Sequence, residues 1–179
     1  FLKVNPTELP PETVALPIST EEVPLDEEVL VSGNNEGFGF SILTGTITDL
    51  YQSAGFFPNR SYQISLNAQG GSSGSPVVNS KGDVIALIYG GSEATALALP
   101  IAYVQDSLKQ IQKNKIPKRQ HNGALLVPYS LDDAKKFFGL PEDFTQDYVK
   151  EFPHARNLTL RVVDIFYTPH TLKHGDIIL

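Results

Sequence analysis

From residue 29 to residue 99 the apolar runs are short, several are rich in β-branched residues, and most are closed off by glycine, asparagine, serine or proline, so short strands are the regular structure it can form. The runs are Val29 to Val31, then Phe38 to Leu43 and Thr44 to Thr48 behind a Gly33-Asn34-Asn35 turn, which predicts two or three antiparallel strands. Tyr62 to Leu66 alternates with period two. Pro76 to Val78 and Val84 to Ile88 flank a turn at Asn79 to Gly82, and Ala96 to Leu99 follows. Ahead of these, Phe1 to Val4 alternates like a strand. Prolines 6, 10, 11, 17 and 24 then permit only short strands and turns, a loop-rich β start.

Past Pro100 the period changes, with Ile101, Val104, Leu108 and Ile111 on one face of an amphipathic helix. Residues 113 to 119 carry four basic side chains and one proline where the composition shifts, and read as a solvated linker. Beyond it, Ala124 to Val127 is strand-like, and Ser130 with Asp133 resembles the cap of a short helix that Gly139 stops. Phe144, Tyr148 and Phe152 suggest another helix ended by Pro153, and Leu158 to Phe166 a buried strand. The last six residues, from His174, read as a turn and the start of a strand, so the second unit is expected to be incomplete. Three segments result: 1–112, a linker at 113–119, and 120–179.

With 41% hydrophobic and 19% charged residues, 179 residues make a globular chain of at most two modest units. No run approaches the ~18 apolar residues that span a bilayer, and no leader opens the chain. A formal charge of −6 disfavours coating nucleic acid. The absence of cysteine removes disulfides, thiolate zinc sites and a thiol nucleophile together. Phe1 at the start and no methionine anywhere point to a fragment whose natural start lies upstream. The triplets at Asn59 and Asn157 are read as chance matches to a glycosylation signal.

Gly70-Gly71-Ser72-Ser73-Gly74-Ser75-Pro76 is the segment with chemistry in it. Read as G-x-S-x-G, it makes Ser72 the nucleophile of an elbow, but that elbow must lead into a helix, and Pro76 to Gly82 is a strand entering a turn. Read as the loop of a trypsin-type protease, it makes Ser73 the nucleophile, with the N–H groups of Gly71 and Ser73 as the oxyanion hole. A plain serine-glycine turn is the third reading the pentapeptide allows.

The flanks bear on that choice. Asn67 to Leu87 resembles the HtrA family of trypsin-like serine proteases around its nucleophile, Gly33 to Ile47 its glycine-rich hairpin, and Leu97 to Pro100 its closing strand. Gly-Gly-Ser-Ser-Gly-Ser-Pro-Val-Val, with Leu125 to Leu140 and His174 to Ile178, is closer still to the fungal nuclear pro-apoptotic branch. The resemblance implies a mainly β fold: the C-terminal portion of a double β-barrel protease over 1–112, then a partial PDZ-like α+β domain over 120–179. It also implies the catalytic first copy of a protein that repeats this pair.

In that family the triad runs His, Asp, Ser. All four histidines here (His121, His154, His170, His174) follow Ser73, so the triad His and Asp are expected upstream, just before Phe1. Ser72 stands where trypsin has the aspartate that pairs with a new N-terminus, so that ionic switch should be absent, and Ser75 replaces a glycine common in the family. Asn67, six residues before the nucleophile, would form the pocket floor. Tyr89 and Gly90 of the Ile88 to Gly91 segment, and Ala96 with its neighbours to Ala98, would form the walls. The function implied is a serine endopeptidase on polypeptides, without cofactor or metal, nucleic acid or membrane, in nucleus or cytoplasm, and compatible with a homo-oligomer. A pseudoprotease or PDZ peptide-binding scaffold is the alternative. His170 and His174, four apart, lack the glutamate and third ligand of a zinc site. Glu21-Glu22 and Asp26-Glu27-Glu28 read as a solvated acidic loop.

Overall fold

The computed structural model describes residues 1–37, 39–53, 60–118, 122–167 and 171–179. Phe38 of the expected hairpin, Asn59, Arg119 at the linker's end, His121 and His170 lie outside the described residues. Two compact units form, one of residues 1–52 and 60–118 and one built on 119–179.

In the first unit, β1 (Glu28–Gly33), β2 (Ser41–Ser53), β3 (Arg60–Ile64), β4 (Pro76–Asn79), β5 (Val84–Gly91) and β6 (Ala96–Pro100) close into a barrel. Their order is β1-β2-β3-β6-β5-β4. Alternation in the sequence becomes alternation in space: Val29 and Val31 of β1, Tyr62 and Ile64 of β3, and Ala96 and Ala98 of β6 point into one buried cluster with Ile47, Val77 and Ile85. Each large aliphatic side chain there contributes about 1.5–3 kcal/mol by leaving water. The two alanines of β6 leave room for their larger neighbours.

Two expectations change. Residues 38–48 do not divide into separate strands, because Ser41–Ser53 runs as one strand through Gly45, paired with β1 from Glu28↔Thr46 to Gly33↔Ser41. The chain start does not form a strand either. Before β1 there is one 3-10 turn at Pro6–Glu8 and one bridge, Ile18↔Val84, and the prolines remove the donors a ladder needs.

α1 (Ile101–Gln112) leaves β6 through Pro100 and packs on β5 and β6. Its face differs from the apolar pattern: Ser107 is buried, its hydroxyl donating to the Tyr103 carbonyl at 3.3 Å, while Ile111 is 36% exposed. The acidic loop is solvated, with Glu21 paired to Lys81 at 2.5 Å on the surface.

In the second unit, β7 (Ala124–Ser130), β8 (Leu158–Ile165) and β9 (Ile177–Ile178) form an antiparallel sheet in chain order, with α2 (Leu131–Phe138) and α3 (Glu142–Glu151) between β7 and β8. β7 is an edge strand, which is where Pro128 is tolerated. Ser130 Oγ accepts the N–H groups of Asp132 (3.1 Å) and Asp133 (3.4 Å), and Gly139 ends α2 in the left-handed region at φ 69°. Along α3 Phe144 stacks on Tyr148, and the Tyr148 ring meets that of Phe152, just past the helix end, at a tilt of 47°.

Candidate active site

The serine segment is two turns that share a residue. In the first, Ser72 N–H donates to the Gln69 carbonyl at 3.1 Å, and in the second, Ser75 N–H donates to the Ser72 carbonyl at 3.0 Å. The third residue of each turn is a glycine at positive φ, Gly71 at 100° and Gly74 at 88°, which a side chain would strain. Gly74 N–H donates to the Ile88 carbonyl at 2.7 Å, and Ile88 N–H to the Ser75 carbonyl at 3.0 Å, so the second turn is tied to β5. Pro76–Asn79 then enters β4, and no helix follows, which excludes the elbow reading of Ser72.

The two serines separate by environment. Ser72 is 2% exposed and its hydroxyl donates to Asn35 Oδ1 at 2.6 Å, whereas Ser73 is exposed at the crest of the second turn. Among the described residues, the N–H groups of Gly71 and Ser73 have no protein acceptor. They are inner residues of turns, whose N–H groups the turn itself does not use.

The segment rests on the β1–β2 connection. Asn35 Oδ1 also accepts Gln69 N–H at 2.7 Å, and Glu36 N–H donates to the Gly70 carbonyl at 2.9 Å. Ser41 Oγ, donating to the Gly33 carbonyl at 3.1 Å and accepting Asn35 N–H at 3.3 Å, holds that connection in turn. Asn35, Ser41 and Gln69 are not singled out by the sequence. Their only signal is the Gly33-Asn34-Asn35 turn.

The expected pocket residues fall as follows. Asn67 is exposed beyond β3, its Oδ1 accepting from Gln69 Nε2 at 2.8 Å. Tyr89 is half-buried, its hydroxyl 2.6 Å from Ser61 Oγ, and Gly90 sits where the β5–β6 register shifts. Ala96 is fully buried in the barrel core. Ile64, Ala96 and Gly91 align across β3, β6 and β5, so Asn67 and Gly90 share one end of the barrel. A groove of about 590 Å³ along β1, β2 and β4 is lined by none of these residues. Among the described residues no group of three His, Cys, Asp or Glu side chains gathers around a metal position, and no helix is long and apolar enough to cross a membrane.

The first unit is a closed antiparallel barrel with the serine turn ahead of β4, and residues 1–87 match the trypsin-like peptidase domain family. Over its whole length the chain is 36% identical across 194 residues to the pro-apoptotic serine protease NMA111 of Scheffersomyces stipitis. It is 31% identical across 194 residues to that of Vanderwaltozyma polyspora. Both matches cover 100% of this chain and 19% of the relative, so the chain spans about a fifth of their length. The HtrA-type protease AlgW, solved with a decapeptide, shares the fold at a TM-score of 0.57 and 16% identity, over 86% of this chain and 46% of that one. Residues 1–87 are thus similar to the trypsin-like peptidase domain, and the whole chain is similar to part of the fungal pro-apoptotic serine proteases.

Proposed function

We propose that the full-length protein is a serine endopeptidase in which Ser73 Oγ attacks the scissile carbonyl carbon of a polypeptide. The hydroxyl proton passes to a histidine, the carbonyl electron pair moves onto its oxygen, and the N–H groups of Gly71 and Ser73 hold the oxyanion. Collapse breaks the C–N bond, the imidazolium protonates the leaving amine, and an acyl ester remains on Ser73. Water, deprotonated by the same histidine, releases the acid. Because every histidine of this chain follows Ser73, the reading takes histidine and aspartate from sequence ahead of Phe1.

The observation that carries this reading is the exposed Ser73 hydroxyl beside two backbone N–H groups without protein acceptors, on a segment fixed from both sides. Asn67, Tyr89 and Gly90, at the barrel end beside the Ile88 anchor, are proposed to contact the substrate side chain, with Ala96 packing behind them from the core. Residues 120–179 are proposed as a PDZ-like unit, 1–112 as protease, and a nuclear or cytoplasmic setting follows the resemblance.

In the full-length protein, Ser73→Ala should lower peptide hydrolysis by about a millionfold and end labelling by a fluorophosphonate. Ser72→Ala should still take the label. Labelling that survives Ser73→Ala, or that is lost only with Ser72→Ala, refutes the assignment.

A further inference from the structure

We propose that Asn35 is a positioning residue for the oxyanion donors, its carboxamide oxygen holding Ser72 and so the two turns that present the N–H groups of Gly71 and Ser73. The inference rests on the serine endopeptidase reading.

Asn35 Oδ1 is a single acceptor that takes two hydrogen bonds from the serine segment: Gln69 N–H at 2.7 Å, where the first turn begins, and Ser72 Oγ at 2.6 Å, where the two turns join. Both proposed oxyanion donors lie next to Ser72, one on each side. Ser72 is 2% exposed, so a hydroxyl that lost Asn35 would have no water to turn to and would draw the shared residue toward another acceptor. Gly74 N–H on Ile88 fixes the downstream side, but nothing equivalent among the described residues fixes the upstream turn except the β1–β2 connection. Within that connection, Glu36 N–H reaches Gly70 and the Asn34 carbonyl lies against Gly71, so Asn35 sits at the centre of the contact. Asn35 and Ser72 are 37 positions apart along the chain, and the antiparallel β1–β4 pairing brings them together.

Ser72 carries no charge, so the order of the donors depends on this neutral bond rather than on an ion pair. A preorganised donor helps only in proportion to how little it must reorient as charge develops on the substrate oxygen. Loss of the bond should therefore lower kcat and leave ground-state binding alone.

The test uses the full-length protein with a peptide substrate and three single variants. Asn35→Leu, which removes the acceptor, should lower kcat about 10–100-fold with KM within about twofold, as for partial loss of an oxyanion donor. Asn35→Asp, which keeps an acceptor oxygen in place, should recover most of that loss. Ser72→Ala removes the same bond from the other side and should match Asn35→Leu, and the double variant Asn35→Leu/Ser72→Ala should fall no further than either. Wild-type kcat in Asn35→Leu, an equal loss in Asn35→Asp, or losses that multiply in the double variant would each overturn the proposal. If Asn35→Leu does not fold, Ser72→Ala and Asn35→Asp decide by the same kcat against KM comparison. Ser73→Ala runs alongside: activity there refutes the nucleophile assignment, while an inactive Ser73→Ala with an unaffected Asn35→Leu refutes only the role of Asn35.

Discussion

Three glycines of the serine segment should respond to the same substitution in three different ways. At Gly71, an alanine Cβ would lie 2.1 Å from the Asn34 carbonyl oxygen, and φ is 100°, where L residues rarely go. Strain alone costs about 1–2 kcal/mol. The contact with a backbone oxygen cannot be relieved by a rotamer, so the first turn must move, and with it the N–H of residue 71. Losing one oxyanion donor lowers kcat by about 10²–10³, or ~3–4 kcal/mol in the transition state. At Gly74, φ is 88° but nothing lies within 4 Å of the Cβ position, so Gly74→Ala should show only the strain, as a lower Tm and a modest loss of rate. Gly70 has open space and no positive φ, and Gly70→Ala should be nearly silent. The assay is steady-state hydrolysis of a peptide by the three variants of the full-length protein, with thermal unfolding beside it. A Gly71→Ala enzyme with wild-type kcat, or a Gly70→Ala enzyme as impaired as Gly71→Ala, would refute the geometry.

Burial holds the Tyr62 hydroxyl above its ordinary pKa of 10.0, partly opposed by the Arg60 guanidinium. A raised folded-state pKa gives stability that is complete below pH 10 and lost as pH rises through the folded value, so Tyr62→Phe should flatten the fall of Tm above pH 10, and parallel curves would refute it. Cleavage of an unfolded protein should follow small or aliphatic residues, because Asn67 offers no counter-charge and an unpaired buried cation costs several kcal/mol. A majority of cuts after Lys or Arg, mapped by mass spectrometry, would overturn that. Calorimetric titration with C-terminal peptides should give weak or no heat of binding, since Pro128 in β7 has no N–H to offer; low-micromolar affinity lost on amidating the peptide would contradict this.

The barrel is legible in the sequence because its strands bury one face. Val29/Val31, Tyr62/Ile64 and Ala96/Ala98 are spaced by two, and that spacing survives into the core. The caps of α2 are legible for a similar reason, since Ser130 and Gly139 act on neighbours within a few residues. What escapes is whatever depends on a partner far along the chain. Residues 38–43 and 44–48 read as separate runs, yet β2 continues unbroken from Ser41 to Ser53, because the decision belongs to the pairing with β1. Phe1 to Val4 alternates as a strand should, but no neighbour takes up its backbone groups among the described residues.

The same distinction runs through the serine segment. The glycine spacing announces two tight turns, and turns are local, so the exposure of Ser73 is within reach of the sequence. The burial of Ser72 is not, because its hydroxyl is satisfied from 37 residues away by a side chain that reads, in isolation, as one more turn asparagine. A buried hydroxyl with a 2.6 Å acceptor and an exposed one with none differ in what they are free to do. Ser72 is already committed to a hydrogen bond that holds the loop, and a hydroxyl so committed must break that bond before it can attack. Ser73 has no such commitment among the described residues. Two adjacent serines, alike in sequence, are thereby given different work by one asparagine on the opposite turn.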